Sequence, residues 1–409
     1  MNQLPESRFL QRDTPPALVT LVALAAIATV PLNIFLPSLP SMSEFFDMPY
    51  SVMQLAVTGF LVFTGLLQLV LGPLSDRFGR RPVLLVSLFI FIFASLGAAL
   101  SDDFNEFMTY RLIQSVVVAG TAISRASVRD MVAREKAASM IGYITMGMTL
   151  APMLTPPLGG FIGANFGWQY NFHLLTLFGL LVFALAFFDF GETNIQRSKN
   201  LTAQFRAYPQ LVTSRRFWGY VLTAAFAAAS FFAYLGGAPF VGSAVYKLGP
   251  EEIGLYLMFT PLGYLIGNGI SGRFSSVLGL ERMLILGCMI VLLMMSACLA
   301  VVSAGITHPL GFFAFTISIG LGNGIVLPNA TAGMLDIKPE LAGSAAGLGG
   351  AVLTLGGAAF SATAGFLLME SATALPLVLC IVFASSISLL LAFYTVSVER
   401  EIRRAGTAT

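Results

Sequence analysis

Charge is scarce in this 409-residue chain: Asp, Glu, Lys and Arg together make up only 10% of it, where a soluble domain carries about 25%. Hydrophobic residues make up 56%, so a water-soluble fold would leave much apolar side chain in solvent. A soluble globular protein, a disordered chain and a nucleic-acid binder are thereby excluded together. The three cysteines, Cys288, Cys298 and Cys380, all lie in apolar runs. They suggest neither a disulfide framework nor a metal site and read as small hydrophobes. Only two histidines are present, His173 and His308. No nucleophile, base and orienting group cluster in the sequence, so an enzyme is not expected and no cofactor is implied.

What the chain has in quantity is apolar runs of membrane-spanning length. One spanning helix needs about 20 mostly apolar residues, so twelve would use roughly 240. Runs fall at about 17–38, 51–73, 82–101, 107–127, 138–162 and 171–189, and again at about 217–240, 252–272, 283–304, 309–332, 342–368 and 375–396. The expected architecture is an all-α polytopic membrane protein with twelve helices in two pseudo-symmetric six-helix bundles. Residues 1–189 form the first bundle, 190–216 a basic linker that has room for a short surface helix, and 217–409 the second. The first run is too long for a signal-peptide core and lacks a small-x-small cleavage site beyond it, so it is taken as a retained helix.

Lys and Arg number 22 against 20 Asp and Glu, and placement rather than the total is informative. Alternate connections on one side hold 19 of the 22, among them Arg134, Lys136, Arg197, Lys199 and Arg206, whereas the other side holds only Lys247. The remaining two, Arg111 and Arg125, fall inside the fourth run. This bias puts both termini in the cytoplasm of a bacterial inner membrane. A faint repeat supports two related halves: Ser75-Asp76-Arg77-Phe78 is echoed by Ser271-Gly272-Arg273-Phe274, 196 residues later.

The connection between the second and third runs, Gly72-Pro73-Leu74-Ser75-Asp76-Arg77-Phe78-Gly79-Arg80-Arg81-Pro82, packs one acid and three arginines into a few residues. Asp76 can accept from a neighbouring helix N-terminus or pair with an arginine, while the cations alone serve as a topology anchor. Within the fourth run, Arg111 is either a functional intramembrane cation or a side chain that snorkels or pairs with Glu106. In the fifth, Pro152, Pro156 and Pro157 with Gly159 and Gly160 predict a kinked, closely packed helix.

Gly-x-Leu-x-Asp-Arg-x-Gly-Arg-Arg in the first of these segments resembles the signature loop of the major facilitator superfamily. Arg111-Leu112-Ile113-Gln114 resembles its fourth-helix Arg-x-x-Gln element, and 151–160 resembles its antiporter element with Thr155 in place of a glycine. Leu36-Pro37-Ser38-Leu39-Pro40, residues 123–130, Gly167-Trp168-Gln169, Pro328-Asn329-Ala330 and Ala342-Gly343-Ser344-Ala345 resemble the Bcr/CflA branch of drug:proton antiporters, associated with bicyclomycin and chloramphenicol resistance. The resemblance implies secondary active export with the proton gradient as energy source. It implies a conformational latch at Gly72, Asp76, Arg77, Gly79, Arg80 and Arg81, and coupling through Arg111. With no acid mid-span, proton coupling has to use end-of-helix groups such as Asp76, Asp130 or His173, act indirectly through Arg111, or be absent; His173 also reads as an interface histidine. From the helices that face the cavity in that superfamily, the expected substrate contacts are Asn33, Gln54, Thr58, Gln114, Met146, Thr149, Tyr234, Tyr256, Asn268 and Asn329. Arg125, Arg129 and Asp130 are expected as interface anchors and cross-helix pairs.

Where the branch often carries an aspartate in the first helix, this chain has Asn33, and none of its acids falls mid-span; Asp76, Asp130, Asp189, Asp336 and Glu370 lie at helix ends. The expected cavity therefore holds Arg111 and no carboxylate, which favours neutral or anionic amphipathic substrates. A small-molecule substrate and the bilayer are the expected partners of a monomer. An uncoupled facilitator or an uptake carrier for an anionic metabolite is the alternative within transport. A non-transporting receptor would need a larger soluble domain.

Overall fold

The computed structural model describes residues 7–132, 134–194, 208–305, 307–338, 341–368, 371 and 373–406. Arg197, Lys199, Arg206 and Glu370, and the side chains of Arg134 and Lys136, lie outside the described residues. Those described form helices and no strand. The first six rods are α1 Leu18–Phe45, α2 Tyr50–Phe78, α3 Arg80–Leu100, α4 over 104–131, α5 Arg134–Asn165 and α6 Gln169–Asp189. After a short helix at Tyr208–Val212 follow α7 Arg215–Val245, α8 Pro250–Leu278, α9 Leu280–Ser303, α10 Leu310–Leu335, α11 Ala342–Leu368 and α12 Leu375–Gly406.

Among the described residues, ten of these rods are long and apolar enough to cross a membrane on length and composition. The two that fall short are α4, which carries Glu106, Arg111, Arg125, Arg129 and Asp130, and α5, diluted by proline, glycine and threonine. Polar residues in a spanning helix are retained where they face the bundle interior or a cavity. Both α4 and α5 do so below. Helix α1 runs to Phe45, beyond the expected 38, and is interrupted at 28–29 and 34–35 around Pro31 and Pro37. Proline removes a backbone donor, and the freed carbonyls become acceptors for side chains.

Within the first lobe α1 packs against α4, α5 and α6; within the second α7 packs against α10, α11 and α12. The lobes meet along α2 with α11 and along α5 with α8. Large apolar side chains such as Phe93, Leu181, Phe188, Phe366 and Leu390 point outward. Such a surface suits lipid, since the helices satisfy their own backbone groups.

The sharp turns that start α3 and α9 are each a single glycine in the left-handed region, Gly79 at φ 105° and Gly279 at φ 82°. Their N–H groups close onto Ser75 at 3.1 Å and Ser275 at 3.0 Å. A side chain would strain either turn. The equivalent turns lie 200 residues apart, so the 196-residue echo in the sequence is out of register by four residues, about one helical turn.

Asp189, at the end of α6, is fully buried with no basic partner among the described contacts. It accepts from the backbone N–H of Leu10 (2.6 Å), that of Ala17 (2.8 Å) and the Thr20 hydroxyl (2.5 Å). A carboxylate at the N-terminus of α1 also meets the positive end of the helix dipole. Asp189→Ala is expected to cost about 3 kcal/mol, because three donors lose a charged acceptor. Limited proteolysis should then cut before Leu18, whereas an unchanged digestion pattern would refute the pinning role.

Candidate functional site

Around the outer ends of the helices, on the face away from both termini, the lobes are stapled together. The Tyr50 hydroxyl of α2 donates to the carbonyl of Gly236 in α7 at 3.0 Å, with its ring 5.0 Å from that of Phe240. One turn further along α2, the Gln54 amide donates to the carbonyl of Ser361 in α11, and Thr58 reaches the Ser361 hydroxyl at 3.5 Å. Between α5 and α8 the approach is backbone on backbone. A Cβ on Gly160 would lie 2.4 Å from the carbonyl oxygen of Pro250, and one on Gly254 would lie 2.5 Å from that of Pro156. Nothing but glycine fits either place. Toward the termini, Gly142 of α5 and Gly269 and Gly272 of α8 have no neighbour within 4 Å of such a Cβ. The lobes are closed on one face and splayed on the other.

Between them lies a cavity of about 320 Å³, at the small end of the 300–1,000 Å³ typical of ligand sites. The first lobe lines it with helical stripes: Thr29 and Asn33 of α1, Phe60, Thr64 and Gln68 of α2, Thr121 and Arg125 of α4, and Thr145, Met148, Thr149 and Pro152 of α5. The second lobe contributes Phe231 and Phe232 of α7, Tyr264 of α8, Asn323 of α10 and Thr354 of α11. Arg125 is the one charged side chain among these described residues, and neither an acid nor a histidine is with it. A guanidinium beside apolar walls, in reduced dielectric, attracts an anion more strongly than it would in water.

Arg111 is not in that lining. It is completely buried inside the first lobe, where Nε donates to the Ala56 carbonyl (3.0 Å), Nη1 to Gln114 Oε1 (2.7 Å) and Nη2 to the Pro31 carbonyl (2.9 Å). The rings of Phe35 and Phe60 stand 4.4 and 4.2 Å from its central carbon. It neither snorkels nor pairs with Glu106. Three acceptors and two aromatic faces hold the cation, so Arg111 knits α1, α2 and α4 together. The expected cavity cation is thus replaced by Arg125, which the sequence reading had placed among interface anchors.

Of the expected substrate contacts, Asn33 and Thr149 line the cavity. The other eight do not. Gln54 and Thr58 belong to the α2–α11 staple. Gln114 is buried under Arg111 and donates to Ser95 at 2.9 Å. Met146 is 50% exposed outside the cavity, and Tyr234 is buried within the second lobe. Tyr256 stacks on Phe313 at 4.8 Å near the closed face. Asn329 links α10 to Ser271 of α8 at 2.8 Å. Asn268 is not among the lining residues; it lies on α8 with its backbone beside Gly324 and its side chain beside the Tyr264 hydroxyl, whose residue does line the cavity. Threonines and glutamines at i, i+3, i+4 and i+7, such as 64 and 68 or 145 and 149, were the available signal for the missed lining.

The basic loop is centred on Arg80 rather than on its neighbours. Its guanidinium meets Asp76 at 2.5 Å, Asp130 at 3.1 Å and the Ser75 hydroxyl at 2.6 Å. Glu192 accepts the backbone N–H groups of Arg80 (2.8 Å) and Arg81 (3.3 Å), capping α3. Arg81 also donates to the Phe187 carbonyl at 2.8 Å, while Arg77 lies against Phe78. All of these contacts lie within the first lobe, at the splayed face. Gly72 leads into them, its carbonyl accepting from Ser75. Asp130 also accepts from the Thr193 hydroxyl at 3.2 Å. His173 packs on Tyr170 at 5.6 Å near the closed face, far along α6 from the Arg80 cluster. Gly159 packs against the Ile34 carbonyl within the lobe.

Two helical lobes, stapled on one face and parted on the other around a small chamber, have the architecture of a membrane transporter. The sequence pattern of the Major Facilitator Superfamily matches residues 21–361, and the chain belongs to that superfamily. The MFS-type transporter YdgK of Bacillus subtilis is 30% identical over 94% of this chain and 96% of its own. A bicyclomycin resistance protein homolog of Haemophilus influenzae is 26% identical over 88% and 92%. Among solved structures, a bacterial homolog of the human lysosomal transporter Spinster superposes with a TM-score of 0.73 at 15% identity, covering 94% of this chain and 96% of that one. The superfamily and branch resemblance noted in the sequence is what these relatives return.

Proposed function

We propose that the protein exports small neutral or anionic amphipathic compounds by rocking of its two lobes, in the manner of a drug-efflux antiporter driven by the proton gradient. The observation that carries this reading is the chamber itself: apolar and aromatic walls, one guanidinium and no carboxylate among the described lining residues. A cationic drug would find no counter-charge there and would meet Arg125. The basic bias of the termini-bearing face supports a cytoplasmic location for it in a bacterial inner membrane, which makes this structure inward-open. Relatives with resistance names support export rather than import.

Among its described lining residues the chamber offers proton coupling no acid. Asp130 and Asp76, both held by Arg80 at the splayed face, are the end-of-helix acids that such coupling would draw on. The same lack of a lumenal acid also favours a second reading, an uncoupled facilitator. Uptake of a labelled phenicol-type compound into everted vesicles separates the two. Gradient-driven accumulation, lost with an uncoupler, is the expected result; equilibration that ignores the gradient supports the facilitator, and no uptake above vector controls refutes both.

A further inference from the structure

The two cations of α4 are in opposite chemical situations: Arg111 is completely buried, and Arg125 is exposed in the chamber lining. Arg111 spends its donors on carbonyl and amide oxygens. Arg125 has one hydrogen-bond partner among the described residues, the Met148 sulfur at 3.6 Å from its Nη2, a weak acceptor. It forms no ion pair among the described residues, and the ionisable side chains near enough to act on it are the Tyr264 phenol of α8 and another cation, Arg129. A guanidinium carries five N–H donors in a fixed fork that matches a carboxylate or sulfonate. Here most of that fork faces the chamber unused.

A second, independent feature lies on the other lobe. Asn323 of α10 is 2% exposed and lines the chamber; its Nδ2 donates to the Ile319 carbonyl at 2.9 Å, which fixes Oδ1 as the free end. That Oδ1 is buried with no partner. The Thr64 hydroxyl, also in the lining, is likewise without one. Buried polar atoms are satisfied in the great majority of cases, so an unpartnered acceptor on a side chain of the chamber wall marks a place where a ligand donor is accommodated by a small shift of that wall.

We propose that the chamber recognises an amphipathic monoanion bearing a separate hydrogen-bond donor: the acid group seats on Arg125, the donor on Asn323 Oδ1, and the apolar body lies against Phe60, Phe231 and Phe232. The inference rests on the chamber being the substrate site of the proposed exporter, and it makes acids that exporter's preferred substrates over neutral analogues. Because Arg125 and Asn323 belong to different lobes, such a ligand bridges them and draws together the face that is open here.

Calorimetry on the full chain in zwitterionic-lipid nanodiscs, with empty discs subtracted, tests this using 6-hydroxy-2-naphthoate, 2-naphthoate and 6-hydroxy-2-naphthamide. Wild-type protein should bind the hydroxy-acid about 10–100-fold more tightly than its amide, and about 3–10-fold more tightly than the acid lacking the hydroxyl. Arg125→Gln should erase the preference for the acid and keep that for the hydroxyl, and Arg125→Lys should restore part of the former. Equal binding of acid and amide by wild type, no binding of any probe at millimolar concentration, or an acid preference that survives in a monodisperse Arg125→Gln protein would overturn the proposal. The wild-type comparison needs no variant to fold. Binding as expected without vesicle transport would sink the export reading alone, and transport of a phenicol without acid preference would sink this inference alone.

Discussion

Arg111→Leu should leave little folded protein in the membrane, and what can be purified should melt far below wild type. The substitution strips donors from the carbonyls of Ala56 and Pro31 and from Gln114 Oε1, all in a water-free interior. Each buried acceptor left unmade costs about 1–3 kcal/mol, and the gap between Phe35 and Phe60 adds a packing loss, for a total of about 3–5 kcal/mol or more. Arg111→Lys should be nearly as damaging, because an ammonium on one stem cannot reach acceptors on three helices. Melting of detergent-solubilised protein, followed by size-exclusion chromatography, reads the effect. A variant that melts like wild type while losing transport would move Arg111 from the scaffold to the transport chemistry.

Gly160→Leu should trap the protein with the opposite face open. In this structure the Gly160 Cα faces the Pro250 carbonyl so closely that even a methyl group would sit 2.4 Å away, and the obstacle is backbone, which has no rotamer to yield. The clash exists only while α5 and α8 are pressed together, so it destabilises this state and spares the other. A bias of about 3 kcal/mol changes the ratio of states more than a hundredfold. With Gln54→Cys and Ser361→Cys in a background lacking the three native cysteines, oxidative cross-linking across the staple should be quick in the parent and nearly absent with Gly160→Leu. Equal cross-linking would show that α5 and α8 do not govern closure. Gly254→Leu, meeting the Pro156 carbonyl from the other side, should behave alike.

The helices were readable from the sequence because a run of about 20 apolar residues has few alternatives in a bilayer, and the α2–α3 turn because Gly79 stands where a left-handed residue is required. The roles of the two arginines in α4 were not readable, and the reason lies in helix geometry. Positions 111 and 125 are 14 residues apart, about four turns of a regular α-helix, so they should share a face. The segment Gln114–Val118 is 3₁₀ instead, but that leaves the two within about 60° of one another, so depth along the helix separates them rather than face. Arg111 lies level with Pro31 and Ala56 of its own lobe, and Arg125, about four turns further along, lies in the chamber lining. Gln54 was misread for a related reason: a buried glutamine in a spanning helix suggests a ligand contact, while its partner, Ser361, lies 307 positions later. Glu192, which caps α3, sits past the end of the sixth apolar run and had no motif to mark it.

The threonine stripes, by contrast, were present in the sequence at helical spacing and point to the chamber once α5 is oriented. Thr145 and Thr149 bond their own backbone at i−4, and the stripe they form faces the lumen beside Met148. Such hydroxyls bend helices and present a wet surface without adding charge. That leaves the electrostatics of the chamber to Arg125.

Charge selection by the chamber is tested most directly by counterflow in proteoliposomes, with 6-hydroxy-2-naphthoate and a naphthyl quaternary ammonium of similar size as competing labelled substrates. Wild type should carry the acid and exclude the cation, and Arg125→Glu, checked for a normal melting temperature, should invert that order. A wild-type protein that carries the cation as fast as the acid, or an order indifferent to the sign at position 125, would contradict the account.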